Sequence, residues 1–100
     1  MATVLMTPTM SERAEYLLGK MREVSGIDPL TNTRRRPFPS CRVMVASVLL
    51  EEGWTEHQVG CALNRNHSTI NHYRNKMEEM FASPGYEYEL LLWNKFKESL

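Results

Sequence analysis

The chain has 100 residues, enough for one domain around one modest core and too few for two. With 42% hydrophobic and 24% charged residues its composition is that of an ordinary globular protein, and no apolar run approaches the roughly 18 residues of a membrane span. Lys and Arg balance Asp and Glu at twelve each, so any affinity for nucleic acid must come from where the charges lie and not from their sum.

The predicted elements are all helices. Residues 1–10, apolar and threonine-rich with Pro8, read as a flexible arm. Their apolar stretch is too short for a signal-peptide core, which predicts a cytoplasmic protein. Thr9 followed by Glu12 has the form of a capping box. It opens a helix whose apolar positions Tyr16, Leu17, Met21 and Val24 recur at helical spacing, and Gly26 is placed to end it. Residues 27–30 make a turn with apolar anchors. Residues 31–39 then hold Arg34, Arg35 and Arg36 on a loop that Pro37 and Pro39 keep extended by restricting Arg36 and Phe38. Such a loop can lie on phosphates, and an arginine on it can reach into a narrow minor groove.

Ser40 reads as the cap of the next helix, which runs through Arg42, Met44, Val45, Val48, Leu49 and Leu50 to Gly53. Its nearly continuous apolar character marks it as the centre of the core. Arg42 falls in its first turn, where the helix dipole disfavours a cation; that local cost fits a residue kept for contact. Trp54 reads as a core aromatic. Thr55 caps a short helix through Gly60, in which Val59, Ala62 and Leu63 pack beneath the following helix and Gly60 permits close approach.

Asn64, Arg65 and Asn66 interrupt that helix, because asparagine prefers caps and turns. A further helix starts near His67 with Ile70, Tyr73, Met77 and Phe81 at spacings of three and four. Two helices joined by a short polar turn describe a helix-turn-helix, whose second helix enters the DNA major groove. Its leading end presents Asn66, His67, Ser68, Thr69 and Asn71, all short and able to hydrogen-bond. Ser83 and Pro84 read as cap and first residue of a last helix carrying Tyr86, Leu90, Leu91, Trp93 and Phe96. That helix docks on the same domain or offers a surface for a homodimer or another protein.

Charge is segregated along the chain. Arg34, Arg35, Arg36 and Arg42 fall within nine residues that contain no acid, and Arg65, His67, His72, Arg74 and Lys76 precede Glu78 and Glu79. The acids gather at Glu51, Glu52 and Glu56 and at Glu87 and Glu89. Two basic segments folded together would make one basic face on a neutral chain. Cys41 and Cys61 follow no metal spacing and read as reduced, packed thiols. His57, His67 and His72 form no same-face ligand pair, so no metal is expected. No phosphate-binding glycine loop, nucleophile elbow or paired catalytic carboxylate appears. The reading therefore has no cofactor, no nucleotide and no enzyme activity.

Arg65-Asn66-His67-Ser68-Thr69-Ile70, followed by His72, resembles the signature of the DNA-binding domain of the bacterial replication initiator DnaA. That signature runs arginine, aspartate, histidine, serine or threonine, threonine, an aliphatic residue, and soon a second histidine. The resemblance extends upstream through residues 54–60 and 42–46, and more loosely to residues 24–30 and the arginines after Thr33. It implies an all-α domain of five or six helices spanning residues 11–82, with residues 83–100 added as a C-terminal helix. It also implies double-stranded DNA as partner and a role in replication control or transcription. Arg42 inherits a minor-groove role, with Arg34, Arg35 and Arg36 along backbone and minor groove. His67 and Ser68 align with base-reading positions, and Thr69 and His72 with phosphate-holding ones. Arg65 and Arg74 join them as phosphate partners on charge grounds.

The chain departs from the family in three ways. Asn66 replaces the aspartate, exchanging an acceptor for cytosine N4 with a side chain that can pair bidentately with adenine. The turn before Arg65 is one residue shorter. No ATPase domain is present, so the expectation is a stand-alone DNA reader. The alternative is a protein-interaction module that uses the C-terminal apolar helix and has lost DNA binding.

Overall fold

A computed structural model describes residues 6–100 and contains five helices and no strand among them. The all-α expectation holds. The helices are α1 (Pro8–Ser25), α2 (Phe38–Glu51), α3 (Glu56–Leu63), α4 (His67–Ala82) and α5 (Glu87–Ser99).

The centre of the molecule is α2, which buries residues 40–46 together with Val48 and Leu49. Burial on every side is what its continuous apolar run requires. Around it lie Leu17 and Met21 of α1, Val59 and Leu63 of α3, Ile70 and Met80 of α4 and Phe96 of α5, all fully enclosed. Helix α4 packs against both α2 and α3, while α5 docks chiefly on α1. Trp54 is buried at the entrance to α3, as its bulk predicts. No helix among the described residues is long and apolar enough to cross a membrane.

Several helix ends differ from the sequence reading. α1 opens at Pro8, with Thr7 accepting a hydrogen bond from the Met10 N–H at 3.1 Å, so Thr9 and Glu12 are inside the helix and not its capping box. A proline at the first position explains the shift, since its missing N–H is not needed there. Of the expected arm, residues 8–10 are therefore helical, and residues 1–5 lie outside the described residues. Phe38 begins α2 with Pro39 second, following a cis Arg36–Pro37 peptide. Ser40 is thus a buried residue of the first turn and not a cap. Ser83 ends α4 instead of opening α5, whose N-cap is Tyr86. Two aromatics assigned to apolar stripes face outward: Tyr16 is 44% exposed, with Arg13 and Lys20 over its ring, and Phe81 is 58% exposed, edge-on to Trp93.

Candidate nucleic-acid interface

The junction between α3 and α4 is built by six residues. Thr55 and Gln58 form a reciprocal capping box that fixes the start of α3. Asn64 ends the helix in the left-handed conformation, at φ 55° and ψ 48°, a region asparagine tolerates better than most residues. The chain then doubles back so tightly that the Arg65 N–H donates to the Gly60 carbonyl at 2.8 Å. A Cβ on Gly60 would stand 2.5 Å from the Arg65 carbonyl oxygen, so the close approach this glycine permits is to the turn backbone. Asn66 caps α4 by accepting from the Ser68 N–H at 2.8 Å.

That cap changes what Asn66 can do. Bidentate pairing with adenine needs both its carbonyl oxygen and its amide nitrogen, and the oxygen is already spent on the helix. Releasing it would cost about 1 kcal/mol, the usual worth of such a cap.

α4 divides into three faces. Ile70, Met77 and Met80 are buried. Ser68, His72 and Asn75, spaced four and three apart, form one exposed stripe whose side chains make no hydrogen bond within the described residues. The third face borders α3, and its exposed side chains are partly engaged there. His67 stacks on His57, with ring centroids 4.1 Å apart. Asn71 Nδ2 donates to both carboxylate oxygens of Glu56 at 3.3 Å, and Arg74 Nε donates to one of them at 3.4 Å. Thr69 is half-buried between these faces.

Sequence reasoning passed over Glu56, His57 and Asn75 as site residues. For Asn75 a signal existed, since it stands seven residues after Ser68. Glu56 also corrects the expectation that acids gather away from the basic segments, because it opens α3 directly against α4.

The arginines separate on folding. Arg42 is only 5% exposed, and its guanidinium donates to the carbonyls of Pro29 at 3.0 Å, Thr31 at 2.9 Å and Thr33 at 2.8 Å. It holds the loop from inside, which corrects its assignment to the minor groove. It also lies in the second turn of α2, past the positions where the dipole cost is greatest. Arg36 turns to α5, donating to Glu89 through Nε at 2.8 Å and through Nη2, and to the Gly85 carbonyl at 2.8 Å. Its guanidinium also lies over the Tyr86 ring. Arg34 and Arg35 are exposed and form no ion pair among the described residues. Arg65 braces the turn by donating to the Asn64 carbonyl at 2.9 Å, with its second terminal nitrogen buried and unpartnered.

Of the twelve Lys and Arg residues, seven form ion pairs among the described residues. The five others are Arg34, Arg35, Arg42, Arg65 and Lys95, and all but Lys95 belong to the loop, the helix behind it or the turn. Arg42 and Arg65 are turned inward, so the exposed cations outside these pairs are Arg34, Arg35 and Lys95. Pro39, the second residue of α2, and His72, on the exposed stripe of α4, line the same open cavity of about 400 Å³. The start of α2 and the outer face of α4 thus share one surface.

Among the described residues, no three His, Cys, Asp or Glu side chains gather in a way that could hold a metal ion. Comparison with family models, curated proteins and solved structures finds no match for the chain.

Proposed function

We propose that this chain binds double-stranded DNA sequence-specifically, with α4 in the major groove and the arginine loop on the adjacent backbone. The observation that carries the reading is the stripe of Ser68, His72 and Asn75, exposed and uncommitted on the second helix of a helix-turn-helix. Hydrogen-bonding side chains in that position are what base edges require. Two features add support. Among the described residues Arg34 and Arg35 form no ion pair, and the cavity at Pro39 and His72 joins the start of α2, which follows their loop, to that stripe. In this reading Ser68, His72 and Asn75, with His67 and Asn71 beside them, face bases, while Arg34, Arg35, Arg65, Thr69 and Arg74 serve the backbone. Arg36 and Arg42 shape the loop, and Asn66 caps the helix. The role would be in replication control or transcription, in the cytoplasm, without nucleotide or cofactor.

A selection from random duplex DNA with the purified chain, at low and high salt, tests this. An enriched motif that persists at moderate salt is the expected result. Binding without any motif, or no binding, overturns it. The second reading, a protein-interaction module, draws on Tyr88 and Leu91, both more than half exposed on the outer side of α5. Under that reading Tyr88→Ala and Leu91→Ala abolish partner binding, and DNA selections stay empty.

A further inference from the structure

Glu56 is the first residue of α3, fixed by the Thr55 capping box, and its side chain is only 26% exposed. Both of its carboxylate oxygens accept from Asn71 Nδ2 at 3.3 Å. A carboxylate has no proton to give, so Asn71 must turn its NH₂ group toward Glu56 and its carbonyl oxygen away. That oxygen accepts no side-chain hydrogen bond within the described residues, and Asn71 itself is exposed one helical turn beyond His67. Left to itself, an asparagine on a reading helix pairs bidentately with adenine, donating to N7 and accepting from N6. Here one N–H is shared between the two Glu56 oxygens, which fixes the orientation of the amide and keeps its carbonyl oxygen turned away from Glu56.

Building on the DNA-reading proposal above, we infer that Glu56 is a specificity-determining positioning residue that presents Asn71 to the major groove as an acceptor. An acceptor at that point recognises an exocyclic amino group, which adenine offers at N6 and cytosine at N4. Guanine and thymine offer O6 and O4, which are acceptors and repel it. The base that faces Asn71 on one strand is therefore read as amino-bearing or not, admitting adenine and cytosine alike. Arg74, the other residue that Glu56 holds, contacts phosphate in this reading and changes affinity for all sequences together, so its release cannot imitate a change at one base pair.

The test is a duplex selection run in parallel on the wild-type chain, Glu56→Gln and Asn71→Ala, with helix content checked by circular dichroism. The wild type is expected to yield one position where adenine and cytosine are enriched about tenfold over guanine and thymine. In Glu56→Gln the glutamine amide can donate or accept, Asn71 is free to flip, and that position should admit all four bases. Asn71→Ala should erase the preference at the same position and leave the others intact. A Glu56→Gln motif identical to the wild type's overturns the role of Glu56 while leaving the DNA reading in place. Failure of the wild type to enrich any motif removes the DNA reading, and this inference with it.

Discussion

Arg36 and Glu89, 53 residues apart in sequence, form an ion pair that ties the arginine loop to α5. The two partners are unlike: the Arg36 side chain is more than half exposed, whereas that of Glu89 is 4% exposed. The hydrogen bond to Glu89 raises the Arg36 pKa, working against the small desolvation of the guanidinium. Arg36→Ala should therefore destabilise the chain mainly by leaving a buried carboxylate without a partner. The double variant Arg36→Ala with Glu89→Leu removes that charge and should melt at a higher temperature than Arg36→Ala alone. Thermal denaturation of the pair checks this, and equal melting temperatures would show that the carboxylate is not the cause.

Arg42 gives a sharper contrast between two roles. As the internal strut of residues 29–33 it donates to the carbonyls of Pro29, Thr31 and Thr33. Arg42→Ala should cost about 3 kcal/mol or more, because bonds from a charged donor are each worth more than neutral ones. Arg42→Lys should recover little, since an ammonium lacks the planar fork that spans three acceptors. Urea denaturation measures both. A minor-groove arginine would leave stability unchanged and lower only DNA affinity.

At Gly60, helix propensity and space pull in opposite directions. Alanine would gain about 1 kcal/mol of propensity inside α3. The added Cβ, however, meets the Arg65 carbonyl oxygen at 2.5 Å, and that atom is backbone with little freedom to move. Gly60→Ala should be a net loss of about 1–3 kcal/mol, the usual range for overpacking. A stabilised variant would mean that the turn is looser than the geometry describes.

The two cysteines should differ chemically. Burial is the main reason the Cys41 thiol is pushed from 9.0 up to about 11, with the Glu89 carboxylate adding and the Ser25 hydrogen bond and Arg42 charge opposing. The folded chain thus keeps this proton at pH values where the unfolded chain releases it. The resulting stability is intact below about pH 9 and falls as pH rises toward 11, by at most about 1.4 kcal/mol per unit. Denaturant midpoints at about pH 8 and about pH 10.5 should diverge less in Cys41→Ala than in the wild type. A thiol reagent at neutral pH should label the exposed Cys61 and spare Cys41.

Arg34 and Arg35 are predicted to act on phosphate alone. Their joint replacement by alanine should weaken DNA binding across all sequences and reduce the slope of log K against log salt by about two. Stability should stay within about 0.5 kcal/mol, as for surface changes away from any bonded feature. An unchanged salt slope would place the loop off the DNA.

What the sequence determined by itself is local. Periodicity over residues 70–80 and the apolar run of α2 specify helices because a helix is built from neighbours three and four apart. The α3–turn–α4 unit was legible for the same reason, down to the buried Val59 and Leu63 and the break at Asn64. Tertiary structure decided the fate of individual polar side chains. Four arginines close in sequence were read as one basic segment, yet Arg42 folds inward to three carbonyls and Arg36 crosses to Glu89, while Arg34 and Arg35 remain outside. Glu56 and His57 became neighbours of His67 and Asn71 only when α3 packed on α4. A side chain's partners lie wherever the backbone brings a donor to an acceptor. For these residues, that is 9 to 53 positions away.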